Sequence, residues 1–465
     1  MDAQNLHYIE ALQAEIKRLR GENQKFCEEI QRLQEEIARL KKDSGTSSKP
    51  PSSDIVRPAG ILRRLGSKRR RGGQPGHKKF SRQPFTPKQV DKVISYELSP
   101  KQAKGLEPLN EWFVVQQVEL PKKMYTVIEY RARKYRNPKT GRIIIAPMPA
   151  AVRKGGLAGS RMTALMAFLK SDCHCSFSTM QRYCREAMGL MISRGMLSRM
   201  IQKAAKALQQ PYEQLRARLP HEPYLGADET GHQNNGKLHW TWCFQTPRYS
   251  LFHINRSRGS KVLRKLLGKR FGGILGCDYY SSYRKYARLF NARMQYCLAH
   301  LIREIRFLTG QPMRKLARWG RNLLQQMKKL FKTLHNQADT TPERRFARLM
   351  HCQKTFLRWV RQPPDHKLAK KLARRFRDDD RAAHYFRFVA SPEVEPTNNA
   401  TEREIRHVVI DRKVTQGTRG DAGMRWSERA WTALATCRKQ NRNVLHYFHQ
   451  TIRAAWSNQP VPALC

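Results

Sequence analysis

Tyr224-Leu225-Gly226-Ala227-Asp228-Glu229-Thr230 is a short apolar run that ends on a carboxylate. Fifty residues on, Gly273-Ile274-Leu275-Gly276-Cys277-Asp278 ends the same way. Each run is too short for a helix and reads as a buried strand with an acid at its end. Between them, residues 238–246 read as a second strand after the turn Asn234-Asn235-Gly236-Lys237, and 249–254 as a third. Residues 260–267 form a short basic helix, and 294–297 a fifth strand before a helix from His300.

Three antiparallel strands, a helix and then a parallel strand is the order of an α/β ribonuclease-H-like core. In such a core Asp228 and Asp278 sit on neighbouring strands. A third acid, Glu402, follows Pro396-Thr397-Asn398-Asn399-Ala400-Thr401 and opens a strongly helical segment. Carboxylates at two strand ends and on one helix can converge to hold two Mg²⁺ (or Mn²⁺) ions about 4 Å apart, the arrangement that catalyses phosphodiester exchange. Each acid also has a plainer reading. Asp is common in strand-end turns. Glu402 stands at capping-box spacing from Asn399 and at ion-pair spacing from Arg406. Glu229 and Glu404 are close competitors, expected to face away or to pair with arginines. The stretch between Asp278 and Glu402 exceeds what one strand and one helix need. Residues 311–385, with Leu323-Leu324-Gln325-Gln326-Met327-Lys328-Lys329-Leu330-Phe331, read as a basic helical insertion. It either grips DNA or serves as a solvated spacer.

Composition narrows the partner. Ninety Lys and Arg against 37 Asp and Glu give a formal charge of +53 over 465 residues. Repulsion on that scale calls for a polyanion, and double-stranded DNA is the expected one. No run of 18 apolar residues suggests a membrane span, and Met1-Asp2-Ala3-Gln4 does not open a signal peptide. Ten cysteines without a regular framework fit a reducing, cytoplasmic setting at the nucleoid.

The N-terminal part adds an assembly device and a basic arm. Ile9, Leu12, Ile16, Leu19, Asn23, Phe26, Ile30, Leu33, Ile37 and Leu40 step by three and four for five heptads. Ile at a and Leu at d favour a parallel dimer, and Asn23 at an a position fixes its register. Glu15 and Glu36 would face Arg20 and Lys41 of a partner helix. Residues 1–42 therefore read as a dimerisation coiled coil, with a single docked amphipathic helix as the plainer alternative. Residues 43–90 read as a Ser/Pro linker and arm. From 55 to 90 there are eleven basic residues and no acid, among them Lys68, Arg69, Arg70, Arg71, Lys78 and Lys79. Such a run suits phosphate contact.

Residues 91–150 alternate apolar and polar positions, as at 112–118 and 125–130, and read as a small β-rich module. Residues 151–215 turn helical. A helix over 177–188, Gly189 at its C′ position and Ser193 as the next N-cap outline a helix-turn-helix-like region. Its second helix carries Arg194, Arg199 and Lys203; the same pattern also describes two packed helices that touch no DNA. Cys173-His174-Cys175 with Cys184 lacks the spacing of a tetrahedral zinc site. The core spans 221–440, and 441–465 reads as a closing helix and tail.

Several stretches closely resemble bacterial DDE transposases of insertion-sequence family sixty-six. They are 227–231, 297–301, Pro396 to Arg403, Arg412-Lys413-Val414-Thr415-Gln416-Gly417-Thr418-Arg419, and near the N-terminus 48–54 and Gly72-Gly73-Gln74-Pro75-Gly76-His77. The resemblance spans nearly the whole chain in one order. It implies Asp228, Asp278 and Glu402 as catalytic metal ligands, with Arg403 and Lys413 neutralising phosphates. It implies cleavage of transposon ends and joining of 3′-hydroxyls to target DNA, in a homodimer or higher oligomer, alongside small accessory proteins of the same element. The family usually has a cysteine zinc module after the Gln-Pro-Gly-His segment. Here no cysteine occurs between Cys27 and Cys173, so zinc is not expected in this member. A DNA-binding regulatory or architectural protein with a non-catalytic core is the alternative, and a nuclease that cuts without joining is another.

Overall fold

The computed structural model describes residues 3–40, 83–107, 109–121, 123–336 and 341–465. The chain falls into two units, residues 59–129 and the remainder.

In the smaller unit the described residues form one 3₁₀ turn, Pro87–Gln89, and no strand. Trp112, Phe113, Val114 and Val115 are 61–96% exposed there. The β-rich module expected over 91–150 therefore reduces to one hairpin in the larger unit, β1 (Lys134–Arg136) paired antiparallel with β2 (Ile143–Ile145). Alternation and β-branched residues give strand propensity, but a strand persists only where a partner supplies its hydrogen bonds and covers its apolar face.

The larger unit opens with α1 (Ala3–Leu40), a 38-residue helix. Leu12, Ile16, Leu19, Ile30, Leu33 and Ile37 all stay 46–54% exposed along it. Near its end Glu35 pairs with His366 at 3.3 Å and with Lys367 at 3.7 Å. After β2 come α2 (Ala150–Gly155), α3 (Ser160–Ser171), α4 (Phe177–Met188), α5 (Arg194–Ala207) and α6 (Gln209–Arg218). The cap chemistry of the α4–α5 junction follows the sequence. Gly189 is left-handed at φ 66°, and Ser193 accepts from the Met196 amide at 3.1 Å. Leu197, Met200, Ile201, Ala204 and Ala205 bury α5 against α3, α15 (Gly420–Lys439) and α16 (Val444–Trp456). Lys203 is committed inward too, donating to the Gly155 carbonyl at 2.9 Å over the Trp456 ring. Only Arg194 and Arg199 of its expected basic residues face solvent.

All five strands expected between 221 and 297 are present, but the first does not end at Asp228: its pairing with the second strand carries it on to Asn234. β3 (Tyr224–Asn234), β4 (Lys237–Gln245) and β5 (Ser250–Asn255) run antiparallel. Asn235 and Gly236 take φ 50° and 73° between β3 and β4, the two left-handed positions of a type I′ hairpin. After α7 (Ser260–Leu267), β6 (Ile274–Cys277) joins β3 in parallel; after α8 (Ser281–Phe290), β7 (Arg293–Tyr296) joins β6. The mixed sheet runs β5-β4-β3-β6-β7. Between β7 and the next helices lie α9 (Leu298–Thr309), α10 (Arg314–His335), α11 (Pro342–Val360), α12 (Lys367–Ala373) and α13 (Asp379–Ala390). Among the described residues the insertion over 311–385 is thus mostly helical, with short connections, and α13 returns to pack on β7.

The core forms where α14 (Asn399–Thr415) and α15 close one face of the sheet. Cys243, Phe252 and Ile254 of the strands meet Ile405, Val408, Met424, Trp431 and Ala435 of the helices. Each large side chain buried there contributes about 1.5–3 kcal/mol. The outer edge of β5 is finished by α15 rather than by another strand. Amides of Ser250, Phe252 and Ile254 donate to Thr436 Oγ1, Thr432 Oγ1 and Glu428 Oε1 at 3.4, 3.0 and 2.6 Å. Strand period two and helix period four match along this seam, so alternate free amides each find one acceptor.

Candidate active site

Sheet register places the first two acids. Gly226 pairs with Gly276 in the parallel β3–β6 ladder, so two residues further Asp228 comes level with Asp278. Asp228 Oδ1 accepts from the Glu229 amide at 2.9 Å, and Asp278 Oδ1 from the Tyr280 amide at 2.9 Å. Both carboxyls are held by backbone, not by a cation of their own.

The third acid arrives on α14. Asn398 Nδ2 donates to the Ala227 carbonyl at 3.0 Å, one residue before Asp228. The Asn398 amide donates to Cys297 Sγ at 3.1 Å, and the Leu298 amide to the Pro396 carbonyl at 2.9 Å. These bonds tie the start of α14 to β3 and to the start of α9. Close approach is possible because Gly226 lacks a side chain: a Cβ there would collide with Thr401 Oγ1 and stand 3.0 Å from Gln245 Oε1.

Glu402 does not act as a cap. The N-cap of α14 is Asn398, without a side-chain cap bond, and the Glu402 carboxylate turns to Arg303 at 3.6 Å and His300 at 3.8 Å. Arg406 stays exposed. The ion pair and capping box that the spacing allows are therefore not what holds this side chain.

The electrostatics follow from burial and crowding. Desolvation, then the charges of Glu229, Asp278 and Glu402, push the Asp228 carboxyl well above the usual range. Desolvation and Glu229 lift Asp278 to about 7, against the Tyr280 amide and Arg258. Asp228, Asp278 and Glu402 thus share one field, which favours the protonated form of the first two.

Glu229 points away from Asp228 along the strand, as alternation requires, and is 8% exposed. Arg258 Nε meets its Oε1 at 2.8 Å and Tyr283 donates to its Oε2 at 2.5 Å. Glu404 pairs with Lys439 at 3.3 Å. Arg258 was not singled out from sequence. Its guanidinium lies 3.8 Å from the Tyr280 ring centroid and 4.5 Å from that of Trp240, beside Asp278. No spacing signal marks it, since its partners come from β3, β4 and the start of α8.

Arg403 and Lys413 are exposed on α14, and Arg194 and Arg199 on α5. Lys68, Arg69, Arg70, Arg71, Lys78 and Lys79 lie outside the described residues, and so do the side chains of Ile9 and Leu40. Cys173, Cys175 and Cys184 do not gather into a metal cluster with His174; Cys184 is buried against Met166, and His174 pairs with Asp411 at 3.2 Å. No helix among the described residues is long and apolar enough to cross a membrane.

The family described as "Transposase IS66 family" matches residues 155–426, more than half of the 465-residue chain and inclusive of all three acids. A second family, described as one of unknown function, matches residues 2–83. No curated protein matches the chain. The chain belongs to the IS66 family of transposases, and transposition of DNA is the activity that membership implies.

Proposed function

We propose that the chain cuts the ends of a mobile DNA element and joins the released 3′-hydroxyls to target DNA at Asp228, Asp278 and Glu402. The observation that carries this reading is the crowding of three carboxylates where β6 ends beside the middle of β3, with two of them pushed above the usual carboxylate range, in a chain of charge +53. The strand order β5-β4-β3-β6-β7 supports a ribonuclease-H-like core beneath them.

The donor set is hard carboxylate oxygen, which suits Mg²⁺ or Mn²⁺. Burial and then neighbouring negative charge raise the two aspartates, and a divalent cation would offset both. Asp228, Asp278 and Glu402 would hold two such ions, which supply Lewis-acid stabilisation to the attacking and leaving oxygens of phosphodiester exchange. The chain's own groups prepare that exchange. The Glu229 and Tyr280 amides orient the aspartates. Arg258 ties down Glu229 between Trp240 and Tyr280, so the neighbouring acid stays out of the site. Arg403 and Lys413 stand exposed along α14 to neutralise DNA phosphates.

The test is incubation of the full chain with the ends of its own element, a target duplex and Mg²⁺. Nicking followed by joining is the expected result. Binding without cutting would make the protein a regulator, and cutting without joining a nuclease.

Gly226 offers a second check. Gly226→Val should push Thr401 and the start of α14 off β3 and displace Glu402. A displacement near 1 Å costs about 10²-fold in rate. Gly272→Ala, with nothing within 4 Å of the added carbon, is the control and should cut normally. Equal nicking by both, with unchanged circular dichroism, would uncouple α14 placement from cleavage.

Pairing two ends needs at least two catalytic chains. The exposed seam of α1, with Asn23 at an a position, supports a parallel dimer. Deleting residues 1–42 should lower the oligomeric state in light scattering and reduce paired-end joining more than single-end binding. A monomer before and after truncation would leave the seam without that role.

A further inference from the structure

Cys297, His300 and Glu402 form the one group of three metal-ligand donors within 4.8 Å of one another among the described residues. Cys297 is the N-cap of α9, His300 lies in its first turn, and Glu402 comes across from α14. Two features go beyond proximity. The Cys297 sulfur accepts the Asn398 amide at 3.1 Å, and the amides of Ala299 and His300 also bond to it. Burial pushes the Cys297 thiol up to about 11, and these three amides oppose that rise. His300 is 9% exposed, and its Nδ1 is buried without a hydrogen-bond partner. Its Nε2 stands 3.8 Å from Glu402 Oε1, too far for a hydrogen bond. Nε2 is the nitrogen turned to Glu402, and a neutral imidazole nitrogen there can ligate a cation.

We propose that Cys297, His300 and Glu402 form a site for a borderline-soft divalent cation, Zn²⁺ first, that shares Glu402 with the Mg²⁺ pair. Thiolate, imidazole and carboxylate make the mixed sulfur, nitrogen and oxygen set that Zn²⁺ takes, with three protein ligands and an open fourth position. Mg²⁺ does not compete for the sulfur. On binding, Cys297 gives its proton to solvent and ligates as the thiolate. Arg303, 3.6 Å from the same Glu402 oxygen, must yield part of its ion pair, which sets the affinity. The regulatory consequence rests on the reading of Glu402 given above: a chain holding Zn²⁺ has its third acid diverted, so it binds DNA without cutting. The missing N-terminal cysteine module has no bearing on this site, whose ligands all lie in the core.

Co²⁺ reports the site without any activity assay, because a thiolate ligand gives it a charge-transfer band in the near ultraviolet. Titrated into the reduced full chain, Co²⁺ should give that band at one ion per chain, and Zn²⁺ should displace it. Cys297→Ser should abolish the band, and the double variant Cys173→Ser, Cys175→Ser should keep it. His300→Gln leaves the Cys297–Asn398 contact intact and should weaken Co²⁺ binding at least about 100-fold, the upper end of what even outer-shell losses cost. A band that survives Cys297→Ser, or an unchanged Co²⁺ affinity in His300→Gln, overturns the site. If Co²⁺ behaves as expected while saturating Zn²⁺ leaves Mg²⁺-dependent nicking untouched, the soft-metal site stands and Glu402 leaves the Mg²⁺ pair.

Discussion

Mg²⁺-dependent strand cleavage is expected to fall at least about 10³-fold in each of Asp228→Asn, Asp278→Asn and Glu402→Gln, with DNA binding retained. That is a loss of about 4 kcal/mol of transition-state stabilisation, the scale of removing one preorganised electrostatic partner. Stability should move the other way. The folded pKa of Asp278, about 7, lies above the ordinary carboxylate value of 3.8. Such a carboxyl imposes no cost below pH 4, where it is protonated folded and unfolded alike. Its cost grows as pH rises towards 7 and is complete above that. Metal-free Asp278→Asn should therefore melt higher than the unmodified chain at pH 8, with the gap closing towards pH 4. Mg²⁺ should raise the melting temperature of the unmodified chain at pH 8 and leave the variant unmoved. Normal nicking by Asp228→Asn would remove that residue from the site. A Glu402→Gln variant that loses only about 1 kcal/mol of stability and still cuts would return Glu402 to a helix-end role.

The catalytic half of the fold is legible because its strands carry buried apolar runs bounded by strong punctuation. Asn235-Gly236 sets one hairpin, and each apolar run stops at an acid, so 224–228 and 274–278 announce themselves without any partner in view. The α4–α5 junction is legible for a similar reason, since Gly189 and Ser193 act through their own backbone. What lies beyond local chemistry was less readable. The 112–118 stretch has the same alternation as a true strand, yet a strand requires a partner that sequence periodicity does not specify. Glu402 shows the limit from the other side. Its spacing from Asn399 and Arg406 suggests two local bonds, while the side chain goes to Arg303 and His300, about a hundred residues earlier. Arg258 and the Cys297–Asn398 junction were invisible for the same reason: the first exists only once β3, β4 and the start of α8 meet, the second only once α9 meets the start of α14.

The basic arm expected to contact DNA carries the second large effect. Residues 55–90 hold eleven basic side chains and no acid. Counterion release makes log affinity fall linearly with log salt, with a slope of about −0.9 for each phosphate neutralised. If all eleven meet phosphate, deleting 55–90 should flatten that slope by about ten, and a partial set by proportionally less. Because the lost term is electrostatic, the lines for intact and truncated chains should converge as salt rises towards 1 M. Between 50 and 200 mM the intact chain should lose about 10³–10⁵ in affinity that the truncated chain largely keeps. The ratio of affinities for element ends and for unrelated duplex should stay the same, since phosphate contacts position a protein without reading sequence. A ratio that collapses on truncation would mean the arm also reads bases. An unchanged slope would mean it makes no phosphate contacts, leaving the grip on DNA to exposed basic residues of the core such as Arg194, Arg199, Arg403 and Lys413.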